Sequence, residues 1–115
     1  MAIIMYHNPR CTKSRQTLQL LKDQGIEPEI IEYLKTPPSQ QTLADILEML
    51  GMEARELMRR KESVYKEKHL DDPQLCRDAL IAAMVENPIL IERPIVVHGK
   101  RAAVGRPPEN VLEIL

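Results

Sequence analysis

Three successive runs at the N-terminal end constrain this chain more than any other feature. Ala2 to Tyr6 is short and apolar, the mark of a buried strand, and Asn8-Pro9 breaks it. Cys11 to Gln24 then follows a helical period, with Ser14, Leu18 and Leu21 on one face and Gly25 as the stop. Pro28 to Tyr33 alternates well enough for a second strand, its Ile30 and Ile31 suiting a largely buried position. Strand, helix and strand within about thirty residues form a βαβ unit. A helical crossover makes the two strands parallel, so the chain is committed from its start to an α/β sheet.

The pattern then changes. Thr36-Pro37-Pro38-Ser39 punctuates the chain, and Ser39 can cap a helix because its hydroxyl accepts from an unpaired first-turn amide. Leu43, Ile46, Leu47 and Leu50 follow at i, i+3, i+4 and i+7, and Gly51 closes that helix. A more charged helix is expected over Glu53 to Lys61. After a polar connection, Asp72 is expected to cap another helix with Pro73 at its first position. Cys76, Ala79, Leu80, Ala83 and Met84 share its apolar face, and Asn87-Pro88 ends it. Strand signals return only at Pro94 to Val97. A turn at Gly99 and a further strand over Ala102 to Val104 complete a hairpin, and Glu109 to Leu115 reads as a short closing helix. The expected fold is α/β, a mixed sheet with a helical insertion at about 39–87, in one domain over residues 1–115.

Several function classes are disfavoured at this point. A net charge of -1, with no Trp, no Phe and only three Tyr, gives nucleic acid neither a basic surface nor stacking platforms. Membrane spans need about 20 apolar residues, and none is found; the N-terminal run is also too short for a secretory signal. Two cysteines, Cys11 and Cys76, are no disulfide framework for a chain of 115 residues, so the reducing cytoplasm is the expected setting. No metal-ligand spacing of the zinc kinds occurs.

Cys11 stands out chemically. It falls where the first strand gives way to the first helix, where unpaired amides and the positive helix end favour thiolate. Arg10, Lys13 and Arg15 add positive charge, and His7 is near in sequence. Polar neighbours on both sides argue against the buried, inert state of an ordinary free cysteine. Cys76 is expected to be such an inert cysteine, on an apolar helical face. The position three residues after Cys11 is Ser14, not a second cysteine, so oxidised or substituted Cys11 needs an external thiol for rescue.

The motifs His7-Asn8-Pro9-Arg10-Cys11, Ser14-Arg15 and Glu32-Tyr33-Leu34-Lys35-Thr36-Pro37-Pro38 resemble those of the glutaredoxin-coupled arsenate reductases, the ArsC-like family. So do Arg59-Arg60, the run Asn87 to Val97 around Arg93-Pro94, and Gly105-Arg106-Pro107. The resemblance covers essentially the whole chain in order. It implies a thioredoxin-like fold, with Cys11 as nucleophile and His7 as the histidine that helps lower its pKa. It implies that Arg59, Arg93 and Arg106 bind the oxyanion, that Pro94 is cis and shapes the site, and that Ser14 shares in shaping it. Arg60 sits next to Arg59 and would face about 100° away on a helix. Guanidinium groups suit a tetrahedral oxyanion because they stay charged and donate in forks.

The function so implied is reduction of arsenate, or a similar oxyanion, to arsenite through a covalent cysteine–arsenic intermediate. Glutathione and glutaredoxin are the implied reducing partners, with no bound cofactor and no metal. Two other readings use the same residues. A glutathione-dependent thiol–disulfide oxidoreductase would also work with one reactive cysteine. A regulator of the Spx type, which contacts RNA polymerase, resembles this fold, but redox sensing there uses a Cys-x-x-Cys that Ser14 interrupts. His69 and His98 are expected at the surface.

Overall fold

The N-terminal apolar run forms strand β1, Ile3–Tyr6, in a computed structural model that describes residues 2–115. Met1, at the head of that run, lies outside the described residues. Helix α1 spans Thr12–Asp23 and strand β2 spans Glu29–Ile31. β1 and β2 pair in parallel, as the crossover requires. Strands β3, Ile95–His98, and β4, Arg101–Val104, are the hairpin, and β3 runs antiparallel to β1. The order is therefore β2-β1-β3-β4, the mixed sheet of a thioredoxin-like α/β fold.

The two inner strands take the burial. Met5 and Val96 are register partners, so their side chains share one face of the sheet. Both are fully buried, in a cluster with Leu21 of α1 and with Val111 and Ile114. The last two belong to the short closing helix expected over Glu109 to Leu115, which is a 3-10 helix over Pro108–Ile114. His98, expected at the surface, is half-buried instead. Its Nδ1 lies 2.6 Å from the Ile114 carbonyl, and Arg101 donates to the Glu113 carbonyl at 2.6 Å, so the hairpin ties down that closing segment. β2 also differs from expectation. It is an edge strand bonded only to β1, and Ile30 is 40% exposed. The alternation marked a strand correctly, but an edge position leaves its side chains open.

Contacts divide the chain into two compact units, Met1–Thr36 with Arg93–Leu115, described from residue 2, and Pro37–Glu92. The second unit is helical. In helix α2, Gln40–Leu50, the Ser39 hydroxyl accepts from the Thr42 amide at 3.1 Å, and Gly51 ends the helix in the left-handed conformation. Leu43, Ile46 and Leu47 are buried, as their spacing requires. The charged helix expected over Glu53 to Lys61 is only a 3-10 turn, Ala54–Leu57, because backbone pairing takes over. Met58 bridges Ile91, the Arg59 amide donates to Leu90 at 2.7 Å, and the Glu92 amide donates to Leu57 at 2.8 Å. A short helix α3, Ser63–Glu67, occupies the expected polar connection.

Helix α4 is Arg77–Glu86, starting later than Asp72-Pro73 suggested. Asp72 caps no helix. Its carboxylate accepts from the Gln74 amide at 2.8 Å and its carbonyl from Leu75 at 3.1 Å, which makes an isolated turn. Leu80, Ile81 and Met84 are buried, and α4 packs on α2. Cys76, expected on that apolar face, is the extended N-cap residue and is exposed. Among the described residues no helix is long and apolar enough to cross a membrane.

Candidate active site

Ile31, Tyr6, Ile95 and Val104 lie side by side across the four strands as register partners. That row is the sheet end from which the candidate residues project. His7 to Cys11 follow β1, Arg93 and Pro94 precede β3, and Gly105 and Arg106 follow β4. Residues far apart in sequence thus meet because their strands end in one line.

The turn after β1 is closed by its own backbone. Cys11 donates its amide to the Asn8 carbonyl at 3.0 Å, and Arg10 donates its amide to Asn8 Oδ1 at 3.0 Å. Cys11 is then the N-cap residue of α1. Ser14, fully buried one turn later, braces this loop from below. Its hydroxyl oxygen accepts from the Asn8 amide at 3.0 Å and shares a 2.7 Å hydrogen bond with His7 Nδ1. His7 is itself buried, and burial pushes its pKa below the ordinary value, with Glu32 opposing and Arg15 adding to the shift. A neutral imidazole bonded to Ser14 is the state this environment favours near neutral pH.

Cys11 is only 8% exposed, where polar neighbours argued for an open position. The cover is partly cationic, which reconciles burial with a lowered thiol pKa. Arg106 Nη2 lies 3.7 Å from Cys11 Sγ, while its Nε donates to the Arg93 carbonyl at 2.9 Å. Burial pushes the thiol pKa up. Against it act the Ser14 amide, the charge and hydrogen bonding of Arg93, and the Lys13 amide, and together they carry the pKa below its ordinary value of 9.0.

The Arg93–Pro94 peptide is cis, as expected, and Arg106–Pro107 is cis as well. Two further residues hold this corner, and the sequence reading passed over their roles. Gly105 donates its amide to the Pro94 carbonyl at 2.9 Å. A Cβ there would stand 2.5 Å from Thr17 Oγ1 and 2.7 Å from Pro94 Cγ, closer than real side-chain contacts. Thr17, fully buried in α1, turns its hydroxyl onto the Lys13 carbonyl at 2.8 Å. Its spacing was the available signal, since Thr17 stands three residues after Ser14 and four before Leu21, on the inward face of the helix.

His7, Cys11, Ser14, Arg93, Pro94 and Arg106 therefore belong to one unit and one sheet end. Arg59 belongs to the helical unit, where its guanidinium pairs with Glu62 at 2.8 Å. Arg60 donates to the Arg55 carbonyl at 3.3 Å. Among the described residues no cluster of three or more His, Cys, Asp or Glu could hold a metal ion. The assembled groups suit two tasks: favouring the ionised form of a sulfur and offering guanidinium donors to an anion beside it.

Comparison with known proteins points the same way. The profile of the ArsC family matches residues 6–114. An E. coli K12 protein, YfgD, described as uncharacterized, is 61% identical over 112 residues, covering 96% of this chain and 94% of that one. An arsenate reductase of Neisseria meningitidis is 50% identical over 114 residues, covering 98% of this chain and 97% of that one. The solved structure of an arsenate reductase from Vibrio cholerae is 57% identical and superposes with a TM-score of 0.97, covering 100% of this chain and 98% of that one.

Proposed function

The chain belongs to the ArsC family, and from that premise we propose that it reduces arsenate to arsenite at Cys11. The observation that carries the reading is the guanidinium of Arg106 beside the Cys11 sulfur, at 3.7 Å, on a cysteine whose pKa is already lowered. A thiolate repels an arsenate anion unless cations stand between them, and Arg93 and Arg106 supply those charges in forked, permanently ionised form. The family resemblance adds Arg59 as a third anion ligand.

In the first step the Cys11 thiolate attacks arsenic. A sulfur–arsenic bond forms, and one arsenate oxygen leaves as water after protonation. In the second step a glutathione thiolate attacks the Cys11 sulfur. A disulfide forms, the sulfur–arsenic bond breaks with its electron pair staying on arsenic, and As(V) becomes As(III), released as arsenite. Two thiols are oxidised and one arsenic is reduced by two electrons, so the step balances. Glutaredoxin then takes the glutathione from Cys11 by thiol–disulfide exchange and returns the free thiolate. These partners belong to the cytoplasm. His7 and Ser14 act by holding the turn from which Cys11 and the first-turn amides are presented.

A coupled assay with arsenate, glutathione and glutaredoxin tests the reading. Wild type is expected to turn over. Arg93→Lys and Arg106→Lys keep the charge but lose the fork, and each is expected to lose about 10- to 100-fold in kcat/KM, the scale of one or two lost charge-assisted hydrogen bonds. Arg59→Lys tests the third arginine in the same way. Unchanged kinetics for both Arg93→Lys and Arg106→Lys would remove these residues from the anion site.

A further inference from the structure

A groove runs along the turn that leads from β1 to Cys11. One wall is the turn itself, His7 to Arg10, and the other is Glu32, Leu34 and Lys35, which follow β2. Arg93 and Arg106 flank the ends of β3 and β4, this groove flanks the ends of β1 and β2, and Cys11 follows the turn after β1. We propose that this groove seats the glutathione that attacks Cys11, an inference that rests on the external-thiol step above.

The charges match the ligand group for group. Glutathione carries two carboxylates, one ammonium and one thiol at neutral pH. The groove wall offers two cations, Arg10 and Lys35, and one carboxylate, Glu32. Glu32 and Lys35 now face each other at 3.6 Å, both well exposed, so a zwitterionic ligand exchanges that contact at little cost. Leu34, 45% exposed, gives the peptide's methylenes an apolar floor. The reach is also right. Arg10 is one peptide unit, about 3.8 Å, from Cys11, and an extended tripeptide spans about 10 Å. A carboxylate held at Arg10 or Lys35 therefore leaves the thiol free to meet the Cys11 sulfur.

The placement also suits the chemistry. Displacement at sulfur proceeds in line, with the incoming thiolate opposite the departing atom. The proposal therefore requires arsenic to depart toward Arg106, whose Nη2 lies 3.7 Å from the Cys11 sulfur, as glutathione arrives from the groove.

The test is a titration of isotope-labelled, reduced protein with S-methylglutathione, which keeps the charges and cannot react. Saturable amide shifts are expected at Asn8, Arg10, Glu32, Leu34 and Lys35. Arg10→Glu and Lys35→Glu, both at exposed positions, are each expected to weaken binding by about fivefold or more, as a reversed exposed contact should. Shifts gathered elsewhere, or affinity unchanged in both variants, overturn the proposal. No arsenate is present, so the two readings fail separately. Turnover with glutathione but no binding here sinks the groove alone, whereas binding here without arsenate reduction keeps the groove and sinks the assigned substrate.

Discussion

Cys11 is pulled in two directions, and under the proposed mechanism its protonation decides whether arsenate is attacked. Burial disfavours the thiolate, while the Ser14 and Lys13 amides and Arg93 favour it, with the second set prevailing. The ionised form therefore persists to lower pH than in a free cysteine, and kcat/KM is expected to rise with pH along a limb centred below 9.0. The same sign governs stability. A group whose folded pKa is depressed gives stability that is full above its unfolded pKa and is lost as pH falls through its folded pKa. His7 adds to that acid loss, because burial lowers its pKa and the unfolded chain takes up the proton first as pH drops below 6.5. Thiolate ultraviolet absorbance against pH, in a Cys76→Ser background, measures the Cys11 midpoint directly. A midpoint at or above 9.0 contradicts the balance described here.

Among the elements, those with a local code were legible in the sequence. Ser39 and Gly51 bracket α2 because a hydroxyl cap and a left-handed stop act within a few residues. The parallel β1–β2 pair follows from the helix between them, and the β3–β4 hairpin from its turn at Gly99. Elements decided by distant partners were not legible. Nothing local to Glu53–Lys61 announces that Met58 and Arg59 will bond to the segment around Leu90. Asp72 looked like a helix cap because the same side-chain hydrogen bond also closes a lone turn. The displaced start of α4 has a measurable consequence, since Cys76 is an N-cap lacking a side-chain cap bond. Serine is among the preferred N-caps, so Cys76→Ser is expected to stabilise the protein by about 0.5–1 kcal/mol. Thermal unfolding should then shift upward by about 2–4 °C. A fall of similar size would return Cys76 to the buried face that its spacing first suggested.

On the proposed reading, anion binding is a local property of the molecule. The chain carries a net charge of -1, so no broad positive field would gather arsenate, and the arginines at the sheet end would act at close range. Much of the site was legible through its motifs: Cys11, His7, Ser14, Arg93 and Arg106 come to one sheet end. What the motifs could not carry is how the parts are held. Gly105 gives up a side chain so that Thr17 and Pro94 can close on it, and no local pattern in the sequence announces such an approach. The central claim is that Cys11 alone does the covalent work and that a glutathione sulfur removes the arsenic. Mass analysis of the protein after a single turnover with arsenate and glutathione, with glutaredoxin withheld, tests it most directly. The account predicts glutathione joined to Cys11, Cys76 unmodified, and arsenite released in equal amount; a Cys11–Cys76 disulfide, or arsenite formed with Cys11 still free, would contradict it.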